Sequence, residues 1–301
     1  MKTPQFWNQD TYLSKLLTPI SKLYGLITQY RINNTTPYKS KAKVICVGNI
    51  TAGGVGKTPI SIALAQKYQA QGKKVFFLTR GYKGKLKNIL VDLSKHTPIQ
   101  TGDEARLLAQ TAPTIISPDR KQGAILAEQH GAEIIIMDDG FQNPSLHKDE
   151  SYLVFDGNIG IGNGKIIPSG PLRETLKNGL KRANYVIIMG EDKTNLSQKI
   201  TKIPCYSGKV IPQPIDLPSK NLYAFAGIGH PQKFYKTLQN LGYHIEKTKD
   251  FEDHHTYTQD EILSLKNQAK SCNLTLITTE KDYVKIDDKS DIYCLKITAS
   301  W

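Results

Sequence analysis

The chain reads as an α/β protein: a P-loop NTPase-like sheet flanked by helices, with a second, smaller α/β domain and an N-terminal amphipathic helix. Three observations predict it. Short apolar runs alternate with helical patterns along most of the chain, as buried parallel strands joined by crossover helices do. One run passes straight into a glycine-rich turn ending in Lys57-Thr58. A proline-marked stretch then separates that pattern from a second of the same kind.

In chain order, residues 1–31 carry Phe6, Trp7, Tyr12, Leu13, Leu16, Leu17, Ile20, Leu23, Tyr24, Ile27 and Tyr30 near helical spacing, with Lys15, Lys22 and Arg31 among them. This predicts an amphipathic helix bent at Pro19. Its apolar face fits either the protein's own core or a membrane surface, and the aromatic-plus-basic mix tilts the reading to the surface. After a polar link at 33–43, apolar runs at 44–47, 75–78, 114–116, 134–137, 152–155 and 185–189 predict the strands of the main sheet. Pro204, Pro212, Pro214 and Pro218 mark 204–220 as a linker or hinge. Beyond it come a strand at 222–226, a helix at 231–241, a strand at 243–248, a helix to about residue 270 opened by the capping box of Thr258 and Glu261, and a strand at 275–279. The expected divisions are therefore 1–40, 41–203, 204–220 and 221–301.

The run Val-Ile-Cys-Val-Gly-Asn-Ile-Thr-Ala-Gly-Gly-Val-Gly-Lys-Thr at 44–58 has the layout of a phosphate-cradling loop. Glycines lacking Cβ let backbone N–H groups converge on phosphate oxygens, and the next helix aims its positive end there. Thr51, Ala52, Gly53, Gly54, Val55, Gly56, Lys57 and Thr58 form the expected nucleotide set, with Lys57 on the β/γ-phosphates and Thr58 on magnesium. Thr51 stands where the motif has its first glycine.

Asp138 and Asp139 close a buried run as a Walker-B-like ending suited to magnesium, although paired carboxylates also occur in plain surface turns. Asp103-Glu104 is a second acidic pair, equally readable as a helix N-terminus capped by Thr101 or Asp103. The glycine- and proline-rich segment 160–174 presents Arg173 beside Glu174, either for a phosphate-bearing substrate or for an internal salt bridge. Arg120 fits a phosphate contact or a helix-start charge alike. In Asp253-His254-His255 the adjacent imidazoles point to different sides of an extended chain, which argues against a shared metal and for one acid/base or phosphate-orienting histidine.

Forty Lys+Arg against 27 Asp+Glu give a net +13, which suits an anionic partner. The lysines are dispersed, without the dense basic run or recognition motif of a nucleic-acid binder, so no nucleic-acid partner is expected. No stretch reaches the roughly 18–20 apolar residues of a spanning helix. Cys46, Cys205, Cys272 and Cys294 are scattered, and no secretory apolar region opens the sequence, so a reducing cytosolic setting is expected.

Together these segments resemble the tetraacyldisaccharide 4′-kinase family, the lipid A 4′-kinases of Gram-negative bacteria. The resemblance covers nearly the whole chain: Pro4-Gln5-Phe6-Trp7, the loop at 47–59, Thr79-Arg80-Gly81-Tyr82, Gly102-Asp103-Glu104, Pro118-Asp119-Arg120, the Asp138–Gln142 run, Gly162-Asn163-Gly164, 168–174, 251–255 and Thr279-Glu280-Lys281-Asp282. The family's P-loop shares the Thr51 departure. The resemblance implies transfer of the ATP γ-phosphate to the 4′-hydroxyl of a tetraacylated glucosamine disaccharide 1-phosphate, giving lipid IVA, with the enzyme held peripherally at the cytoplasmic face of the inner membrane and no obligate protein partner. It further implies that Asp103 with His254 activates the hydroxyl, His255 remaining open. Thr58, Glu104 and Asp138 would share Mg2+ with catalytic support from Asp139, and Arg120, Gln142, Arg173 and Glu174 would line the substrate site. Asn143 stands where many members carry His.

The rival reading is a membrane-associated switch ATPase of the partition type, which also pairs a Gly-Gly-Val-Gly-Lys-Thr loop with an amphipathic helix. Such proteins carry a lysine before the two glycines, where this chain has Ala52, and have no use for the Arg173 loop or His254.

Overall fold

The structure, a computed structural model, describes residues 4–301. A 3-10 turn at Gln5–Trp7 precedes α1 (Tyr12–Leu16) and α2 (Thr18–Asn33). The first α/β unit contains β1 (Lys43–Gly48), α3 (Lys57–Gln69), β2 (Val75–Thr79), β3 (Ile89–Leu90), α4 (Pro98–Thr101), α5 (Asp103–Ala109), β4 (Thr114–Ile116), α6 (Arg120–Gln129) and β5 (Ile134–Asp138), and continues with β6 (Glu150–Asp156), α7 (Leu176–Leu180), β7 (Tyr185–Met189) and β8 (Cys205–Pro212). The second unit contains β9 (Asn221–Ala226), α8 (Pro231–Asn240), β10 (His244–Asp250), α9 (Gln259–Ser271), β11 (Thr275–Thr279), α10 (Glu280–Tyr283) and β12 (Ile292–Leu295), and the chain ends with β13 (Ile297–Ser300).

The large sheet runs β13-β8-β7-β6-β1-β5-β2-β4-β3, parallel except for its two edge strands, and the small one runs β10-β9-β11-β12. Alternation along each strand sends side chains to opposite faces. Val44 and Cys46 of β1 join one core with Met137 and the α6 residues Ala124 and Ala127, while Ile45 and Val47 join another with Ile60 and Leu64 of α3 and Leu107 of α5. Both faces are therefore covered, which is why these strands read as unbroken apolar runs. The second unit repeats this sandwich, with Phe234 and Leu238 on one side and Ile262 and Leu265 on the other.

Two expectations change. The stretch 204–220 is not wholly a linker: β8 pairs in parallel with β7, from Val186 opposite Cys205 to Met189 opposite Gly208. β13 returns from the far end of the chain to pair antiparallel with β8, placing Ile297 opposite Pro212. Of the prolines that suggested a break, Pro204 immediately precedes β8 and Pro212 ends it, where a missing N–H costs no ladder bond, while Pro214 and Pro218 lie beyond the strand. The N-terminal helix breaks at Leu17, not at Pro19, which lies in the first turn of α2 where its missing donor is harmless.

That helix is also inside out. Ser14, Ser21 and Thr28, seven residues apart, are buried, whereas Leu13, Leu16, Ile20, Leu23, Leu26, Ile27 and Tyr30 are exposed. Its polar stripe, not its apolar face, docks on the protein. The Ser21 hydroxyl donates to Ser169 Oγ at 2.7 Å and accepts the Ser169 N–H at 2.9 Å.

Candidate active site

β1 and β5 are neighbours in register, Val47 opposite Asp138, so the P-loop and the acidic strand end emerge side by side at the carboxyl edge of the sheet. The loop enters α3 through Gly56, whose φ of +86° is strained for any side chain. A Cβ at Gly53 or Gly54 would meet no protein atom within 4 Å, so that side of the loop is open. Lys57 Nζ lies 3.2 Å from Asn49 Oδ1 and 3.4 Å from Asp139 Oδ1. Thr51 and Ala52 do not share the cradle's geometry. Thr51 is buried and bridges to Leu172, and the Ala52 N–H donates to Pro171 O at 2.8 Å. A short ladder between the loop's entry and 171–173 thus occupies the position of the missing glycine.

Asp138 is buried and accepts from Ser61 Oγ at 2.8 Å and from Thr58 Oγ1 at 3.5 Å. Burial, then the charge of Glu104, push its pKa up to about 6. Among the described residues no three His, Cys, Asp or Glu converge on a metal cage. Two carboxylates and a hydroxyl nevertheless fit magnesium, which takes one or two protein carboxylates and completes its shell with water and phosphate. The repulsion between Glu104 and Asp138 is what a cation would relieve. Asp139, at φ +56°, stands between Lys57 and Arg173. Burial opposes its charge, but those two cations hold its pKa below the ordinary value.

Neither Thr101 nor Asp103 caps α5. Gly102 takes that position, with φ +81° and the Tyr82 carbonyl 2.4 Å from where a Cβ would sit. Asp103 is therefore the first helical residue, with its carboxylate free to face the second unit. His254 Nδ1 lies 3.0 Å from Asp103 Oδ2, and the Tyr82 ring meets the imidazole edge-on at 5.7 Å. Lys285 Nζ stands 4.0 Å from the same carboxylate oxygen. Glu104 Oε1 is 3.2 Å from Lys281 Nζ. His255 points elsewhere, pairing with Glu261 at 3.1 Å and stacking on Phe251.

On the other flank, Arg173 reaches Asp139 Oδ1 at 3.2 Å and Gln142 Oε1 at 3.3 Å. Glu174 is buried, accepting from Gln142 Nε2 at 3.0 Å and pairing with Arg182, whose guanidinium lies over the Phe141 ring. Glu174 and Gln142 thus fasten the loop, while Arg173 stays part-exposed. Arg120 opens α6 but is buried, donating to the Ser117 carbonyl with its Nε unpaired among the described residues. Asn143 Oδ1 accepts from the Ser145 N–H at 2.9 Å and from its hydroxyl at 2.8 Å, closing a local turn.

Sequence reasoning missed Asn49, Ser61, Lys281 and Lys285. Ser61 follows Thr58 by three residues on one helix face, a spacing that could have flagged it. Lys281 and Lys285, four apart, meet the adjacent Glu104 and Asp103.

Comparison with known proteins gives a family and a fold. The family model described as LpxK, tetraacyldisaccharide-1-P 4′-kinase, matches residues 13–301. A tetraacyldisaccharide 4′-kinase of Paramagnetospirillum magneticum is 42% identical, with 100% of this chain and 95% of that protein covered. One from Parvibaculum lavamentivorans is 43% identical, with 95% and 87% covered. The crystal structure of an "apo" form LpxK from Aquifex aeolicus in complex with ATP superposes with a TM-score of 0.76 at 28% identity, covering 96% of this chain and 95% of that one. The chain belongs to the tetraacyldisaccharide-1-P 4′-kinase family.

Proposed function

We propose that this protein transfers the γ-phosphate of ATP to the 4′-hydroxyl of tetraacyldisaccharide 1-phosphate, forming lipid IVA, while lying on the cytoplasmic face of the inner membrane. The observation that carries the mechanism is the 3.0 Å contact between His254 and Asp103, next in the chain to Glu104, whose charge acts on the same Asp138 as that of the P-loop Lys57. Phosphoryl transfer demands positioning and charge compensation, which Lys57, the loop from Gly53 to Gly56 and Arg173 provide. Magnesium, held by Thr58, Asp138 and Glu104, would supply further neutralisation of the phosphates. Asp103 accepts the proton of the attacking hydroxyl; His254, hydrogen-bonded to its other side, orients the carboxylate and shares the proton. Asp139 keeps Lys57 and Arg173 aimed at a common point. Arg120 supports the site from beneath by its buried positive charge, and Glu174 and Gln142 hold the loop that carries Arg173.

No helix among the described residues is long and apolar enough to cross a membrane. The exposed apolar side of α1 and α2 instead suits the headgroup boundary of a bilayer, where Lys15, Lys22 and Arg31 meet anionic lipid.

The test is incubation with γ-labelled ATP, magnesium and the disaccharide 1-phosphate in mixed micelles, beside Asp103→Ala. Label in the lipid, lost in the variant, is expected. ATP turnover without labelled lipid would overturn the reading in favour of a switch ATPase.

A further inference from the structure

The segment Thr279-Glu280-Lys281-Asp282 has no part in the mechanism above, yet its surroundings are fully built. Glu280 Oε2 accepts the Ile297 N–H at 2.9 Å, fixing the start of β13. Asp282 is wholly buried, accepts the Gly227 N–H at 3.0 Å and the Thr279 hydroxyl at 2.7 Å, and holds Lys285 at 2.7 Å. Val284 is buried in the first unit's core with Leu107 and Leu108 of α5. Lys281 reaches from this turn to the first unit, its side chain 38% exposed and its ammonium 3.2 Å from Glu104. A tether between the units does not need it, because Val284, Lys285 against Asp103 and Lys233 against Asp156 already join them.

We infer that Lys281 is the second unit's cation for the transferring phosphoryl group. Without nucleotide it neutralises Glu104. With Glu104 engaged by the metal that would accompany ATP, the ammonium of Lys281 would be free to face the γ-phosphate, where negative charge is redistributed during transfer. The inference rests on the proposed metal role of Glu104.

The test compares wild type, Lys281→Met and Lys281→Arg by steady-state kinetics and by Mn2+ binding to the nucleotide-free protein followed by electron paramagnetic resonance. Removing one such charge should lower kcat about 100-fold with KM for both substrates within about twofold, as loss of a transition-state contact does, and arginine should restore about tenfold. Mn2+ should bind several-fold more tightly to Lys281→Met, because Glu104 loses its competing partner. A kcat within about threefold of wild type, a change confined to KM, no rescue by arginine, or unchanged Mn2+ affinity would each overturn the inference. The Mn2+ experiment requires no turnover, so it stands apart from the kinase reading, which fails only if the wild type itself labels no lipid.

Discussion

His254 Nδ1 lies 3.0 Å from Asp103 Oδ2 across 151 positions of sequence, while its neighbour His255 turns away to Glu261. His254 adopts a left-handed backbone, φ +64°, and its N–H donates to Gly227 O at 3.1 Å. That conformation sends the two adjacent imidazoles to different elements. His254→Asn is expected to lower kcat at least about 100-fold with an unchanged melting temperature. His255→Asn, which loses a part-buried pairing and a ring stack, should instead cost stability and leave kcat within about threefold. Parallel kinetics and thermal melts decide between them, and equal kinetic losses would contradict the assignment.

Arg173 meets Asp139 and Gln142 through one guanidinium nitrogen, leaving its remaining donors for a ligand. Lysine keeps the charge but not the planar fork. Arg173→Lys should therefore reduce kcat/KM by about 10- to 100-fold, as loss of a charged hydrogen bond of roughly 1.5–3 kcal/mol implies. A variant as active as wild type would remove Arg173 from the substrate site.

Asp138 carries a raised pKa, about 6, because burial and Glu104 oppose its ionisation. Its folded-state pKa exceeds the unfolded value, so ionisation destabilises the fold. That cost is absent below the ordinary carboxylate pKa, grows as pH rises, and is complete above about 6. In a chelating buffer, Asp138→Asn should raise the melting temperature near neutral pH and flatten the decline between about pH 4 and 6, while abolishing lipid phosphorylation. A slope identical to wild type would show that the carboxyl titrates normally.

Leu16 and Leu23 are about three-fifths exposed on the outer side of the N-terminal helices. Fully burying a leucine contributes about 1.5–3 kcal/mol. The double change Leu16→Glu and Leu23→Glu should weaken sedimentation with anionic vesicles at least about tenfold, yet preserve turnover of micelle-dispersed substrate. Undiminished vesicle binding would place the membrane contact elsewhere.

Ser21 and Ser169 exchange two buried hydrogen bonds. Ser21→Ala leaves the Ser169 N–H without its acceptor, at a cost of about 1–3 kcal/mol in a thermal or denaturant melt. Because Ser169 lies four residues before Arg173, the lipid KM should rise as well. A rise in neither quantity would uncouple helix from loop.

Much of this was legible in the sequence because strands buried on both faces are written as continuous apolar runs, and a phosphate loop needs glycines wherever it is met. The P-loop and Asp138 announce themselves this way, whereas the residues alone left open which of His254 and His255 faces Asp103. What escaped depends on pairing between distant segments. Thr51 pairs with Leu172, so the absent glycine had a partner that no local pattern reveals. β8 alternates weakly and begins and ends near prolines, and its register depends on β7 on one side and β13 on the other. Lys281 stands in a run that carries the family resemblance, but its pairing with Glu104 joins positions 177 apart, which no local pattern reveals.

Trp7 Nε1 donates to Pro168 O at 2.9 Å, Ser21 clasps Ser169, and Asn178 donates to Gln29 at 2.6 Å, so the outward leucines and the phosphate cleft belong to one rigid piece. Under the proposed membrane contact the inverted helix would work as a depth gauge. On the proposed bilayer contact, the height at which the leucines rest would fix the height of Arg173 above it, and an acylated sugar would be reached only where its head emerges at that level.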